Sequence, residues 1–379
     1  MMEYKALKDI AKITMGQSPD SSSYNEDGDG MPFFQGNADF GEVYPNERIW
    51  CNDPKKTAEP GDILISVRAP IGALNYAKDR CCIGRGLAAI TIDDEAERNY
   101  VFHLLKAKNS DLNNQGTGST FKAIGKAVLE DVQVPQISRE EEQKCMDIMD
   151  LLESIIRERR EQLSSLDKLI KARFVEMFGN IKTNNMNWDK VQMKDVVDIR
   201  GRVGWKGYKK EDLRENGPLV LGATHLTDNG DLDLSSPVFL SREKYEESPE
   251  IVLQRYDLIF TQRGNTIGKV GLVEQDIGEA TINPCVLILR PQSVNPIYLK
   301  RYFVMEETKD DMWLLNSGSA QPMITQKGIG EYSLMLPPEE LQDSFADFVQ
   351  QVDKSKVAVQ KALDEAQLLF DSLMQEYFG

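Results

Sequence analysis

Leu169 to Gly179 reads LIKARFVEMFG and Leu369 to Gly379 reads LFDSLMQEYFG, two amphipathic tails closed by Phe-Gly at a spacing of 200 residues. The correspondence extends backwards through the chain. Lys8-Asp9-Ile10-Ala11-Lys12-Ile13 returns as Lys194-Asp195-Val196-Val197-Asp198-Ile199. Gly61-Asp62-Ile63-Leu64-Ile65-Ser66-Val67-Arg68 returns as Tyr256-Asp257-Leu258-Ile259-Phe260-Thr261-Gln262-Arg263, followed by Gly72 and Gly268. Gly118-Ser119 with Ile124 returns as Gly318-Ser319 with Ile324, and Val132-Gln133-Val134-Pro135 as Leu334-Met335-Leu336-Pro337. A unit this long is a domain with a helix attached, far beyond a solenoid repeat. The offset grows from 186 through 195 to 200, with 202 at the Val132 string, which places loop insertions early in the second copy.

Both helix starts are marked. Ser138-Arg139-Glu140-Glu141 is a capping box, and Pro337-Pro338-Glu339-Glu340 puts prolines and acids at the second start. Gly179 supplies a stop. Each helix should be about 55 to 60 Å long. Alternate steps of four and three give a seam through Cys145, Met149, Leu152, Ile156, Arg159, Leu163, Leu166, Ile170, Arg173 and Met177. The second seam runs through Phe345, Val349, Val352, Lys356, Val359, Leu363, Ala366, Phe370, Leu373 and Tyr377. That period favours a left-handed coiled coil. Such helices overhang a domain of about 140 residues, whose radius of gyration is about 14 Å. The reading is therefore an antiparallel pair acting as a rigid spacer; packing of each helix on its own domain is the competing arrangement.

The expected organisation is an α+β domain over residues 1–138, a helix over 139–179, a similar α+β domain over 180–338 and a helix over 339–379. Short β runs such as Asp62 to Val67 and Asp257 to Thr261 alternate with glycine- and proline-rich turns and with helical stretches such as Tyr100 to Lys108. The chain has 379 residues, 41% of them apolar, but no run of about 18 apolar residues. The start MMEYKALKDI lacks a signal-peptide core, so the expected compartment is the cytosol, with no membrane contact. Cys51, Cys81, Cys82, Cys145 and Cys285 show no metal-ligand spacing, and His103 and His225 are the only histidines. That argues against a histidine-based metal site or a Ser-His-Asp triad. Net charge is −16, of which residues 339–379 carry −6. No domain is globally basic, so any nucleic-acid surface must be local.

The best local footprint is Arg200 to Lys210, RGRVGWKGYKK, with Arg200, Arg202, Lys206, Lys209 and Lys210 interleaved with Trp205 and Tyr208. A solvated basic loop has the same composition. Arg263-Gly264-Asn265-Thr266-Ile267-Gly268-Lys269 follows a predicted strand, so Arg263 and Lys269 can reach phosphate or a guanine edge. It is no Walker loop, because the glycine-to-GK spacing is one short and Val270 stands where Ser or Thr would hold magnesium. Arg68 is the counterpart of Arg263, and the Gly-Ser segments add Lys122 and Gln321 to the candidate DNA contacts. Those segments also read as helix caps that bind phosphate, or as ordinary turns. There is no methyltransferase NPPY or DPPY string, no HExxH and no GxGxxG. Glu307-Thr308-Lys309 is the one nuclease-like fragment, and it sits in the charge run EETKDD.

Taken in order, PGDILISVRAPIG and RYDLIFTQRGNTIGKVG, then GSTFKAIGKAVLEDVQVPQISREEEQ and GSAQPMITQKGIGEYSLMLPPEELQ, resemble the specificity (S) subunit of type I restriction-modification systems over essentially the whole chain. The resemblance implies two target recognition domains that each read one half of a split double-stranded DNA site. It implies that the helices set the gap between the halves and dock two modification subunits, which hold S-adenosylmethionine and methylate adenine. ATP-hydrolysing restriction subunits would join that core. The chain itself would carry no catalytic residue, cofactor or metal. The rival readings are a cytosolic coiled-coil adaptor that binds proteins, and a self-contained nuclease or methyltransferase.

Overall fold

The computed structural model describes residues 3–118, 122–202, 207–316 and 322–378, and divides into two compact units. One comprises residues 1–160 and 361–379, the other residues 161–360, so the division falls within both long helices.

In the first unit the central sheet consists of β1 (Lys12–Met15), β2 (Ile63–Ser66), β3 (Leu74–Tyr76) and β4 (Leu87–Thr91), in the order β1-β4-β2-β3 and antiparallel throughout. In the second unit β5 (Val197–Arg200), β6 (Leu258–Thr261), β7 (Val270–Leu272) and β8 (Val286–Pro291) take the equivalent order β5-β8-β6-β7. The repeated strings thus fold as repeated topology. The β2 run ILIS and the β6 run LIFT are buried at every position, the mark of a strand covered on both faces. Alternation then sorts the side chains. Ile63 and Ile65 face the helical core, whereas Leu64 faces a smaller core with Phe34, Ala58, Cys81 and Ile83. Leu258 and Phe260 face the helices of the second unit, and Ile259 the opposite layer. That opposite layer is where the copies diverge: a five-stranded sheet of short strands in the first unit, three strands in the second.

Two residues of the repeat are explained by this frame. The aspartate before each central strand closes a turn: Asp62 Oδ2 accepts the Glu59 N–H at 2.9 Å, and Asp257 Oδ2 the Gln254 N–H at 2.7 Å. Asp62 also bonds the Thr91 side chain, and burial holds its carboxyl above the usual carboxylate range. At the position of Thr91 the second unit has Arg290, which grips Asp257 with two bonds of 2.7 Å. The paired glycines Gly72 and Gly268 have φ of 87° and 84°. A Cβ at Gly268 would lie 2.9 Å from Met312 Cβ. Gly268→Ala should therefore cost about 1 to 3 kcal/mol through left-handed strain and the clash, read as a lower denaturation midpoint.

The long helices span Arg139–Phe178 and Glu339–Phe378, 40 residues each. The capping box forms: Glu141 Oε2 accepts the Ser138 N–H at 2.9 Å, and Ser138 Oγ accepts the Glu141 N–H at 3.3 Å. Gly179 turns left-handed at φ 78°, and its N–H closes onto the Val175 carbonyl. The helices pack against one another antiparallel. In the second unit Phe178 meets Phe345 with ring centroids 5.4 Å apart, and Asp167 meets Lys356 at 2.7 Å. In the first unit Arg160 meets Gln367 at 3.4 Å.

The seam differs from the expected one in two respects. Cys145, Met149, Leu152 and Ile156 are buried in the first unit with Ala366, Phe370, Met374 and Phe378. Ile170, Phe174 and Phe178 are buried in the second with Phe345, Val349 and Val352. Near each helix end, then, Phe174, Phe178, Met374 and Phe378 are the buried residues, while Arg173, Met177, Leu373 and Tyr377 are only half-buried. The stripe moves there because each helix end faces its domain as well as the other helix. One half of each helix is thus built into the core of the first unit and the other half into that of the second. Leu163, Leu166, Val359 and Leu363, in the middle of the seam, are half-buried. Lys356, the charged residue of the second seam, pairs with Asp167 and lies 3.9 Å from Asp353, which lies 3.9 Å from Arg301.

Candidate nucleic-acid interface

Each unit carries one arginine out of its most buried strand onto an exposed rim. β2 continues through Val67 to Arg68, and β6 through Gln262 to Arg263; both arginines are exposed. Arg68 forms an isolated bridge with Ala123, and Arg263 with Met323. The flanking bonds match. Ile124 N–H donates to the Val67 carbonyl at 3.0 Å and Ile324 N–H to that of Gln262 at 2.9 Å. Ala69 N–H donates to Lys122 and Gly264 N–H to Pro322, both at 3.1 Å. The segment after each Gly-Ser string is thereby stitched beside the arginine.

A turn leading into β4 or β8 closes the rim from the other side. Val67 N–H donates to the Gly86 carbonyl at 2.9 Å, and Gln262 N–H to that of Cys285 at 3.0 Å. Gly84-Arg85-Gly86 therefore flanks Arg68 as Asn283-Pro284-Cys285 flanks Arg263. Arg85 was missed from sequence; its signal was an arginine between two glycines in CCIGRGL.

The electrostatics of the two rims differ. In the first, Arg68, Arg85 and Lys122 are exposed and make no ion pair among the described residues. In the second, Arg263 Nη2 donates to Met323 Sδ at 3.2 Å. Lys269 pairs with Asp228 at 2.9 Å, and this bond holds the Asp228 carboxyl below its usual range. Arg200 pairs with Asp198 at 2.7 Å and Lys209 with Glu211 at 3.4 Å. Arg202 turns inward, donating from Nε to the Ile282 carbonyl at 3.0 Å, with Tyr208 5.9 Å away; burial lowers its pKa. Exposed ion pairs are worth only about 0 to 1 kcal/mol, so phosphate can displace Asp228 or Glu211 readily. Lys206, with Trp205, and Gln321 lie outside the described residues, as do Ser119, Gly318 and Ser319.

The nuclease-like fragment is engaged otherwise: Glu307 accepts the Asn180 side-chain N–H at 3.3 Å, and Lys309 pairs with Glu306 at 3.0 Å. Among the described residues no three His, Cys, Asp or Glu side chains converge as a metal site, and no helix is long and apolar enough to cross a membrane.

Comparison with known proteins locates this arrangement. The family model described as the type I restriction modification DNA specificity domain matches twice, over residues 1–165 and 185–366. A putative type I restriction enzyme MjaX specificity subunit of Methanocaldococcus jannaschii is 42% identical over 161 residues. That match spans 42% of this chain and 38% of the relative. The MjaIX specificity subunit of the same organism is 19% identical over 399 residues, covering 98% of this chain and 91% of its own. In fold, the chain is similar to the crystal structure of the type I restriction-modification S subunit from M. genitalium. The TM-score is 0.60 at 14% identity, over 100% of this chain and 96% of that one.

Proposed function

This chain belongs to the type I restriction modification DNA specificity family, and from that premise we propose that it is the DNA-reading subunit of a methylating and restricting complex. Each unit reads one half of a bipartite duplex site, and the chain performs no chemistry of its own. The observation that carries this reading is the duplicated rim, in which Arg68 and Arg263 occupy equivalent backbone positions beside equivalent segments. A cation on a rigid strand end is suited to the major-groove edge of guanine or to phosphate. Arg200, Lys206, Lys209, Lys269, Lys122 and Gln321 supply the surrounding contacts, whereas the Arg202 side chain is engaged inside the unit by the Ile282 carbonyl.

The partners are two modification subunits that methylate adenine and ATP-dependent restriction subunits. Both long helices keep apolar residues exposed, including Leu151 at 59%, Leu368 at 72% and Leu369 at 50% in the first unit, which favours protein contact on those faces. The fixed length of the helices sets the unread gap. A plain coiled-coil adaptor is not favoured, because it leaves the duplicated cationic rims without a role.

Sequencing adenine methylation in cells with and without this chain tests the proposal: a bipartite mark should vanish on deletion, and an unchanged methylome would refute it. Arg263→Ala should lose about 1 to 3 kcal/mol on the cognate half-site and relax discrimination at one base pair. Alanine at Lys206 and Lys209 should weaken binding evenly across sequences and flatten its salt dependence, measured by titrating duplexes at several ionic strengths.

A further inference from the structure

We infer that Gln35 and Arg85 are the specificity-determining pair of the first unit, reading adjacent purines through their major-groove edges; this rests on the DNA-reading function proposed above.

The inference comes from comparing the two rims at the level of the backbone. The parallel pairing of Phe33 and Phe34 with Cys82 and Ile83 is matched by that of Val220 and Leu221 with Thr281 and Ile282. Each strand then enters a short turn through a glycine, Gly36 or Gly222. Between strand and glycine the first unit has one extra residue, Gln35, and the second unit has none. The same comparison puts Arg85 where the second unit has Pro284. The scaffold is shared, and these are side chains by which it differs on the rim.

Gln35 is held from several directions. Its N–H donates to Asp39 Oδ2 at 2.7 Å, and its carbonyl accepts the Gly86 N–H at 3.1 Å. Ser18 Oγ donates to its Oε1 at 3.0 Å and accepts the Arg85 N–H at 3.3 Å. The glycines on both sides of Arg85 make this possible. A Cβ at Gly84 would fall 2.5 Å from Gln35 Oε1, and one at Gly86 would fall 2.4 Å from the Gln35 carbonyl oxygen. At Gly86 the clash is with backbone and at Gly84 it would displace the Gln35 amide, so the amide lies directly against the turn that presents Arg85.

Ser18 occupies one lone pair of the Gln35 Oε1 and leaves the other, with the Nε2 donors, open. Gln35 and Arg85 are both exposed, and among the described residues neither the Gln35 Nε2 nor the Arg85 guanidinium makes a hydrogen bond or ion pair; Tyr24 is near enough to feel the Arg85 charge. An amide matches adenine N7 and N6, and a guanidinium matches guanine N7 and O6. The exposed cations on either side, Arg68 and Lys122, suit the phosphates that fix the register. In the second unit this place offers no free donor pair: Pro284 has no side-chain donor, and the Asn283 side chain is engaged by the Cys285 N–H at 2.9 Å and by the Tyr208 side chain. The two halves of the site are therefore read by different chemistry from one backbone plan.

The test is selection of bound duplexes from a randomised library by the chain assembled with its modification subunits. Wild type is compared with Gln35→Ala, Arg85→Ala and Arg85→Lys. Each alanine variant should lose about 5- to 150-fold discrimination at one base pair of a single half-site and leave the other half unchanged. Arg85→Lys keeps the charge without the fork, so it should relax the same position while nearly retaining affinity. An unaltered motif, or an even loss of affinity on all duplexes, overturns the inference while leaving the proposed function intact. A wild-type complex that selects no bipartite motif overturns both.

Discussion

Replacing Asp257 with alanine is expected to cost the second unit about 3 to 5 kcal/mol. The carboxylate is 1% exposed and makes two bonds of 2.7 Å to Arg290, whose side chain is only 12% exposed. Removing the acid leaves a guanidinium in the interior that keeps the Val252 carbonyl, 3.1 Å from Nη2, but loses its buried counter-charge. It also frees the Gln254 N–H that Asp257 caps. The loss should register as a fall in urea midpoint. The double variant Asp257→Ala with Arg290→Met should recover a large part of it, because an apolar side chain removes the stranded charge. A single variant within 1 kcal/mol of wild type would show that the pair is not the keystone of that turn. The matching Asp62→Ala in the first unit should cost less, since its partner there is a neutral threonine hydroxyl.

Phe178→Ala is the second large effect, at about 3 to 5 kcal/mol. Phe178 is fully buried among Phe174, Tyr298 and Phe345, with ring centroids 5.0, 4.9 and 5.4 Å away. Truncation opens a cavity where both long helices meet the domain. Its carbonyl also accepts the Trp188 Nε1–H at 2.9 Å, so indole fluorescence should report the transition of the second unit directly. The counterpart Phe378→Ala should act on the first unit instead, through Tyr100 at 5.1 Å. A Phe178→Ala chain whose Trp188 signal melts as in wild type would contradict the packing described.

Much of the architecture was legible because duplication exposes it. The strings around Asp62 and Asp257 mark the same strand twice, and Arg68 and Arg263 fall on equivalent rim positions. Capping at Ser138 and the stop at Gly179 follow from local chemistry that needs no tertiary context. The seam was less legible, because a strict heptad presumes one neighbour per helix. Phe174 and Phe178 have two, the other helix and the domain. Ion pairing was invisible as well. Arg200 to Lys210 contains no acid, yet Asp198 and Glu211 just outside it neutralise Arg200 and Lys209. Arg85 escaped notice because its importance depends on Gln35, fifty residues earlier in the chain.

The core of the first unit includes Ala366, Phe370, Met374 and Phe378. A ribosome produces those residues only after the whole of residues 161–360, so the unit that begins emerging first is completed last. The second unit has all its parts in hand earlier and can close while its predecessor still waits, reversing the usual amino-to-carboxyl sequence of maturation. Until then Tyr100 and its neighbours lack the side chains that cover them in the finished unit.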